Sequence, residues 1–125
     1  MNSLDPFAKK SYLNLETFRK NGVGVKTPVW FVQDGDLLYV RTEAKSGKAK
    51  RIRNNGKINT VPCAMNGKPQ GTWMTAQARD VRDPDINAKV DQLMKKKYGF
   101  MYWLLMSRGK KQPGTYTVIE VKLTE

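Results

Sequence analysis

The chain has 125 residues, with 23 Lys and Arg against 11 Asp and Glu, a formal net charge of +12 and 39% hydrophobic residues. That is material for a single domain (1–125) with one core, not the composition of a disordered chain, and no apolar run approaches the ~18–20 residues of a membrane span. There is no histidine and one cysteine, Cys63, which excludes Ser-His-Asp and Cys-His nucleophile systems and leaves no ordinary zinc ligand set. The eleven acidic residues are scattered, so no carboxylate pair suggests acid–base work on a sugar. An enzyme built from these side chains needs a borrowed cofactor for its chemistry. The charge points to an anionic partner: nucleic acid, an acidic membrane surface or a phosphorylated cofactor. The start, MNSLDPFAKK, lacks the basic-then-apolar order of a secretion signal, and a lone cysteine makes no internal disulfide. A reducing, cytoplasmic setting is therefore expected.

Along the chain, Ser3-Leu4-Asp5-Pro6 predicts a short helix start. Leu13–Phe18 alternates as a strand, and Asn21-Gly22 is a tight-turn signal. Val23–Val32 follows as a second strand, with Val25, Thr27, Val29 and Phe31 on one face and Trp30 and Val32 on the other. Pro28 demotes it to an edge or a bulge. Asp34-Gly35 turns into a third strand, Leu37–Thr42, and the three form an antiparallel meander. Ser46 caps a short helix that buries Ala49 and Ile52 and stops at Gly56. Lys57–Ala64 and Gly71–Val81 are strands around an Asn66-Gly67 turn. Asp83-Pro84 opens the longest helix, to about Tyr98, with Ile86, Val90, Leu93 and Met94 inward and Lys89, Lys95, Lys96 and Lys97 in water. After Gly99, Phe100–Met106 is a buried helix or an interface segment, Arg108–Gly114 a basic loop, and Thr115–Leu123 the last strand. The sum is a mainly β fold, a six-stranded antiparallel barrel with α insertions. Trp73, Phe100, Tyr102 and Trp103 exceed what one small barrel leaves outside its core, so an obligate dimer interface is expected.

The informative stretch is Arg41–Lys57, which sets Arg41, Lys45, Lys48, Lys50, Arg51, Arg53 and Lys57 against Glu43 alone. At its centre Ser46-Gly47-Lys48 opens a helix. First-turn amides and the helix dipole favour an anion there. Ser46 offers a hydroxyl, Gly47 a close approach and Lys48 a full charge, which suits a terminal phosphate. The plainer alternative is a solvated basic face with Ser46 as a cap only, and the eight-residue Walker pattern is absent. Thr27-Pro28-Val29-Trp30 reads either as an ordinary edge strand with a packed Trp or as a strand presenting Trp30 and unpaired backbone to a flat heterocycle. Cys63 reads as a small core residue. Lys95-Lys96-Lys97 reads as a solvated helix edge.

Three segments in order, Thr27-Pro28-Val29-Trp30-Phe31, Asp34–Thr42 and Ser46–Asn55, resemble the pyridoxamine 5'-phosphate oxidase-like, FMN-binding split-barrel superfamily, and most of all its flavin/deazaflavin-dependent oxidoreductase group. The resemblance runs from about Leu13 to Leu123. It implies a split β-barrel homodimer with two cofactor sites along the subunit interface. It places Pro28, Val29 and Trp30 beside the ring, Arg41 and Thr42 against the ring and ribityl chain, and Ser46, Gly47 and Lys48 on the phosphate. Lys50 and Arg51 add supporting charge. Trp73, Met74 and Trp103 are the candidates from the second subunit. Gly47 stands where pyridoxamine-phosphate oxidases usually have Arg, and no counterpart of their substrate-phosphate pocket is found, so vitamin oxidation is not expected.

The implied cofactor is FMN, or alternatively an 8-hydroxy-5-deazaflavin coenzyme whose anionic tail needs a longer basic track over Lys50, Arg51, Arg53 and Lys57. Hydride or electrons pass to a small-molecule acceptor. Tyr39, Tyr98 and Tyr102 are equal candidates for a proton donor. The reading from another class is a nucleic-acid-binding basic β-barrel without enzymatic activity. Against it, the aromatics cluster in apolar runs such as Phe100–Trp103 and do not alternate with Lys and Arg. A cofactor chaperone or storage protein of the same fold is a third.

Overall fold

The computed structural model describes residues 4–107 and 115–124. The expected cap Ser3 and basic loop Arg108–Gly114 lie outside them. Asp5–Phe7 is a 3-10 turn with Pro6 inside it. The strands are β1 (Tyr12–Phe18), β2 (Gly24–Val29), β3 (Val32–Asp34), β4 (Leu37–Glu43), β5 (Lys57–Cys63), β6 (Met74–Val81) and β7 (Tyr116–Leu123). The helices are α1 (Gly47–Asn54), α2 (Pro84–Tyr98) and α3 (Phe100–Ser107). None is long and apolar enough to cross a membrane among the described residues.

All seven strands form one antiparallel sheet in the order β2-β1-β5-β6-β7-β4-β3. The expectation of six is corrected, because the predicted Val23–Val32 strand is two. Its first half pairs with β1 and its second with β4, so the meander holds with a corner at Trp30–Phe31. That corner curls the whole sheet. Seven flat strands at ~4.8 Å would hold their edges about 29 Å apart. Val29 and Val32, on opposite edges, are three residues apart and can span no more than about 11 Å. Pro28 sits on edge strand β2, opposite Asn14, where its missing N–H costs no inner ladder bond. The hairpin turns use Gly22 at φ 87° and Gly35 at φ 63°, which the Asn-Gly and Asp-Gly signals predict.

The corner does not interrupt alternation. Phe31 points inward with Leu13, Leu15, Val40, Ile58, Ile119 and Val121, and the N-terminal Leu4 and Phe7 join that cluster. Phe31 meets Phe7 edge-on, centroids 5.8 Å apart. Trp30 and Val32 point outward into a second cluster with Tyr39, Val90, Met94, Tyr102 and Val118, which α2 and α3 supply from outside. Each fully buried Leu, Ile or Phe contributes roughly 1.5–3 kcal/mol by leaving water.

α1 buries Ala49 and Ile52 as predicted. Beneath it the inner face is polar: Thr17, Thr42 and Thr117 are buried, and Asp80 is 7% exposed in its side chain. Asp80 accepts from Arg53 Nε at 2.6 Å and from the Thr117 hydroxyl. Gly56 follows the C-cap Asn55, but its glycine is needed for packing. A Cβ there would lie 2.5 Å from the Ala78 carbonyl oxygen, and Ala78 N donates to the Gly56 carbonyl at 2.7 Å.

α2 starts at Asp83, whose carboxylate accepts from Asp85 N at 2.9 Å. One expectation there fails. Lys97 keeps its stem near solvent, yet its ammonium folds back, donating to the Phe31 carbonyl at 2.8 Å and lying 3.6 Å from the Phe31 ring centroid. α3 is not the fully buried alternative. Tyr102 is buried, but Phe100 is 68% and Met101 and Trp103 each 58% exposed.

Candidate functional site

The start of α1 is where the structure gathers most of the predicted residues. Ser46 caps the helix, its Oγ accepting from Ala49 N at 3.2 Å and lying 3.4 Å from Thr42 Oγ1. The Gly47 and Lys48 amides have no acceptor of their own in the first turn. Arg51 folds back over this turn. Its Nε donates to Thr17 Oγ1 at 2.7 Å. A Cβ on Gly47 would sit 2.7 Å from Arg51 Nη1. Gly47 thus leaves room for the Arg51 guanidinium to lie against the helix start, and a side chain there would make that guanidinium shift. Lys48 is half-buried, and its pKa is lowered from 10.5. Burial is the main cause, Glu43 partly offsets it, and the Arg51 charge adds to it. An anion relieves both effects. Lys48, the Arg51 guanidinium, the Ser46 cap and the first-turn amides thus share the start of α1. Lys50 stands exposed on α1.

The remaining predicted residues are elsewhere. Arg41 is next to Thr42 but on the other sheet face. Its Nη1 donates to Asp91 Oδ1 at 3.1 Å and lies 3.3 Å from the Tyr102 hydroxyl, over the Tyr116 ring. Its buried Nε has no partner. Burial pushes the Asp91 carboxyl up, but Tyr102, Lys95 and Arg41 together hold it below the usual range. Pro28 and Val29 lie on β2 opposite Asn14 and Leu13, whereas Thr17 opposes Val25. The Pro28–Trp30 segment is thus about 13 Å from the Thr17–Arg51 end, four residues along β1. Val29 packs on the interior cluster. Trp30 stacks on Tyr98 at 4.3 Å between centroids, 9° from parallel. Trp73 is half-buried under Lys26 Nζ, Met74 packs against the core, and Trp103 is exposed.

The tyrosines are bound to the protein. Tyr39 donates to Glu120 Oε1 at 3.1 Å, and burial with the Glu120 charge raises its pKa to about 12. Tyr102 donates to Asp91 at 2.6 Å. The Tyr98 oxygen lies 2.7 Å from the Ser11 carbonyl and accepts from Phe31 N at 3.0 Å. Burial raises both of these phenols well above 10. The Cys63 thiol is buried and pushed up by that burial, as a core residue should be. No metal-binding cluster of His, Cys, Asp or Glu occurs among the described residues.

Thr17, Asp80 and Lys97 were absent from the predicted set. Alternation signals the first two: Thr17 continues the inward Leu13-Leu15 series, and Asp80 the inward Ala76-Ala78 series. Nothing in the Lys95-Lys96-Lys97 run distinguishes its last member.

No curated protein matches the chain. Solved structures share its fold. General stress protein 26 from Bacillus anthracis is 17% identical over 94% of this chain and 83% of its own, TM-score 0.67. The heme storage protein HutZ from Vibrio cholerae is 16% identical over 94% and 84%, TM-score 0.71. An F420 reductase is 17% identical over 100% and 95%, TM-score 0.65. The sequence profile described as pyridoxamine 5'-phosphate oxidase matches residues 4–125, so the chain belongs to that family, as the ordered segments around Pro28, Arg41 and Ser46 lead one to expect.

Proposed function

We propose that the chain is a flavin-type oxidoreductase that holds FMN by its phosphate at the start of α1. The observation that supports this most is the arrangement at Gly47: with no Cβ there, the Arg51 guanidinium lies against the first turn of the helix. A phosphate fits this donor set, with the Gly47 and Lys48 amides, the Lys48 ammonium and Arg51 Nη1 as partners and Ser46 and Thr42 as flanking hydroxyls. The flavin supplies hydride or two-electron transfer to a small-molecule acceptor. The protein orients it, anchors its anionic end and adds positive potential that favours the reduced, anionic ring. Pro28 and Trp30 stand beside the ring, Trp30 fixed by its stack on Tyr98, and Val29 contributes backbone only, its side chain packing on the interior cluster. Arg41 contributes charge from the opposite sheet face. The site works in a homodimer, and the exposed Phe100, Met101 and Trp103 support an association of two copies.

The test is a titration of FMN against Lys48→Ala. A charge-assisted contact contributes roughly 1.5–3 kcal/mol, so affinity should fall about ten- to a hundredfold. Unchanged affinity would refute the assignment.

A second reading, a deazaflavin coenzyme, is favoured by the fold shared with an F420 reductase. Its tail would run along Lys50 and Lys57, both exposed. Arg53 is less available, being committed to Asp80 and to the Ala44 carbonyl. A colourless protein that quenches added deazaflavin fluorescence would select this reading over FMN.

A further inference from the structure

We infer that the groove between the end of α2 and strand β3 is a binding site for a small organic carboxylate with a flat apolar body. The groove has a volume of about 350 Å³ and is lined by Val32, Gln33, Leu93, Lys96 and Lys97. That is the lower range of small-ligand sites, and the lining has the usual make-up, an apolar floor with a few polar groups. Val32 is buried, and Leu93 packs with it on the outer cluster. Lys96, Lys97 and Gln33 complete the lining, the Gln33 amide nitrogen donating to the Gly35 carbonyl at 3.0 Å.

The lysines are not simply solvated. The Lys97 ammonium makes one hydrogen bond, to Phe31 O at 2.8 Å, and rests on the Phe31 ring. An ammonium has three N–H donors, so with one on the carbonyl and one face on the ring, at least one remains for a ligand. Lys96 has no partner among the described residues. The nearby β3 carboxylate, Asp34, is already held by Lys89 at 2.7 Å and does not neutralise the pair. Apolar floor and paired cations together select an amphipathic anion: the body covers Val32 and Leu93, and the carboxylate takes Lys96 and Lys97. An inorganic anion would forgo the floor, and a neutral arene would forgo the cations. The site is separate from the α1 start and does not rest on the flavin reading.

The test is an amide NMR titration of the full chain with 1-naphthoate and with its neutral twin, 1-naphthamide. Naphthoate should shift Val32, Gln33 and Leu93 saturably and bind at least about tenfold tighter than the amide, as charge-assisted contacts require. Lys96→Met/Lys97→Met should abolish that preference. The Phe31 corner keeps its Tyr98 hydrogen bonds in this variant, and Lys96→Met alone, at an exposed position, should weaken naphthoate without disturbing the fold. The inference is overturned if the two probes bind equally, if the shifts fall on Phe100–Trp103, if the double variant keeps its preference, or if millimolar naphthoate leaves the groove unshifted.

Discussion

The start of α1 and the end of α2 both carry clustered lysines, and they are built in opposite ways. At α1 the lysine stands at the positive end of the helix dipole, and Arg51 folds back over the same turn against Gly47. The dipole does not compensate these charges; the phosphate of the proposed function would. At α2 three lysines stand at the negative end of the helix, where the dipole already compensates them. Lys97 goes further and donates to the Phe31 carbonyl. The same residue type thus stands at the electropositive end of a helix in one place and is partly satisfied by the protein in the other. If the proposed anion site at α1 holds, position relative to the backbone dipoles, more than the count of charges, sets where it lies.

The comparison can be broken first at the support beneath α1. Asp80 lies nearly buried between Arg53 and Thr117. Burial raises its pKa, but Thr117, Arg53 and Arg82 outweigh it and keep the carboxyl below its usual range. Asp80→Ala leaves Arg53 without its counter-charge and should cost about 3 kcal/mol in urea denaturation. It should also loosen α1 and weaken FMN. A loss below 1 kcal/mol would mean that α1 is held by its apolar side alone. The next effect is the ten- to hundredfold loss of FMN affinity in Lys48→Ala, against which Lys97→Met should leave FMN affinity unchanged. Ser46→Ala removes the cap bond to Ala49 and should lower stability by about 1 kcal/mol, measured by thermal unfolding.

The smallest effect sharpens the contrast by pH. Lys97 has its pKa lowered from 10.5 to about 8 by burial of the ammonium. Around it stand Lys96, the Phe31 ring and the Tyr98 phenol. Between pH 8 and 10.5 the unfolded chain binds the proton that the folded chain has released, so this residue makes stability rise with pH. Cys63 acts oppositely above pH 9, and Tyr39, Tyr98 and Tyr102 above pH 10, because their folded pKa values are raised. Urea midpoints should therefore rise modestly from pH 8 towards 10 and fall beyond it. The rise should shrink in Lys97→Met to the part that Lys48, lowered in the same direction, contributes; a rise of undiminished size there would assign it to another group.

Much of this was legible in the sequence. Strand alternation placed Phe31 and Trp30 on different faces, and Ser46, Ala49 and Ile52 defined α1 and its buried side. The corner at Trp30–Phe31 was not legible, because alternation runs through it unbroken. What changes there is the pairing partner, which depends on residues far along the chain. Arg41 and Thr42 were grouped by the family resemblance, although neighbours on a strand face opposite ways. Gly47 read as room for a ligand to approach, but the Arg51 guanidinium that lies against it was not legible, since that side chain begins four residues later and returns through a hydrogen bond to Thr17.

The central claim is that an anionic group is gripped by the first turn of α1. The most direct measurement follows the Gly47 and Lys48 amide resonances while FMN, and separately riboflavin, is added. Both amides should shift strongly and saturably with FMN and only slightly with riboflavin, which lacks the phosphate. Equal responses to the two compounds, or FMN binding that leaves both amides where they were, would contradict it.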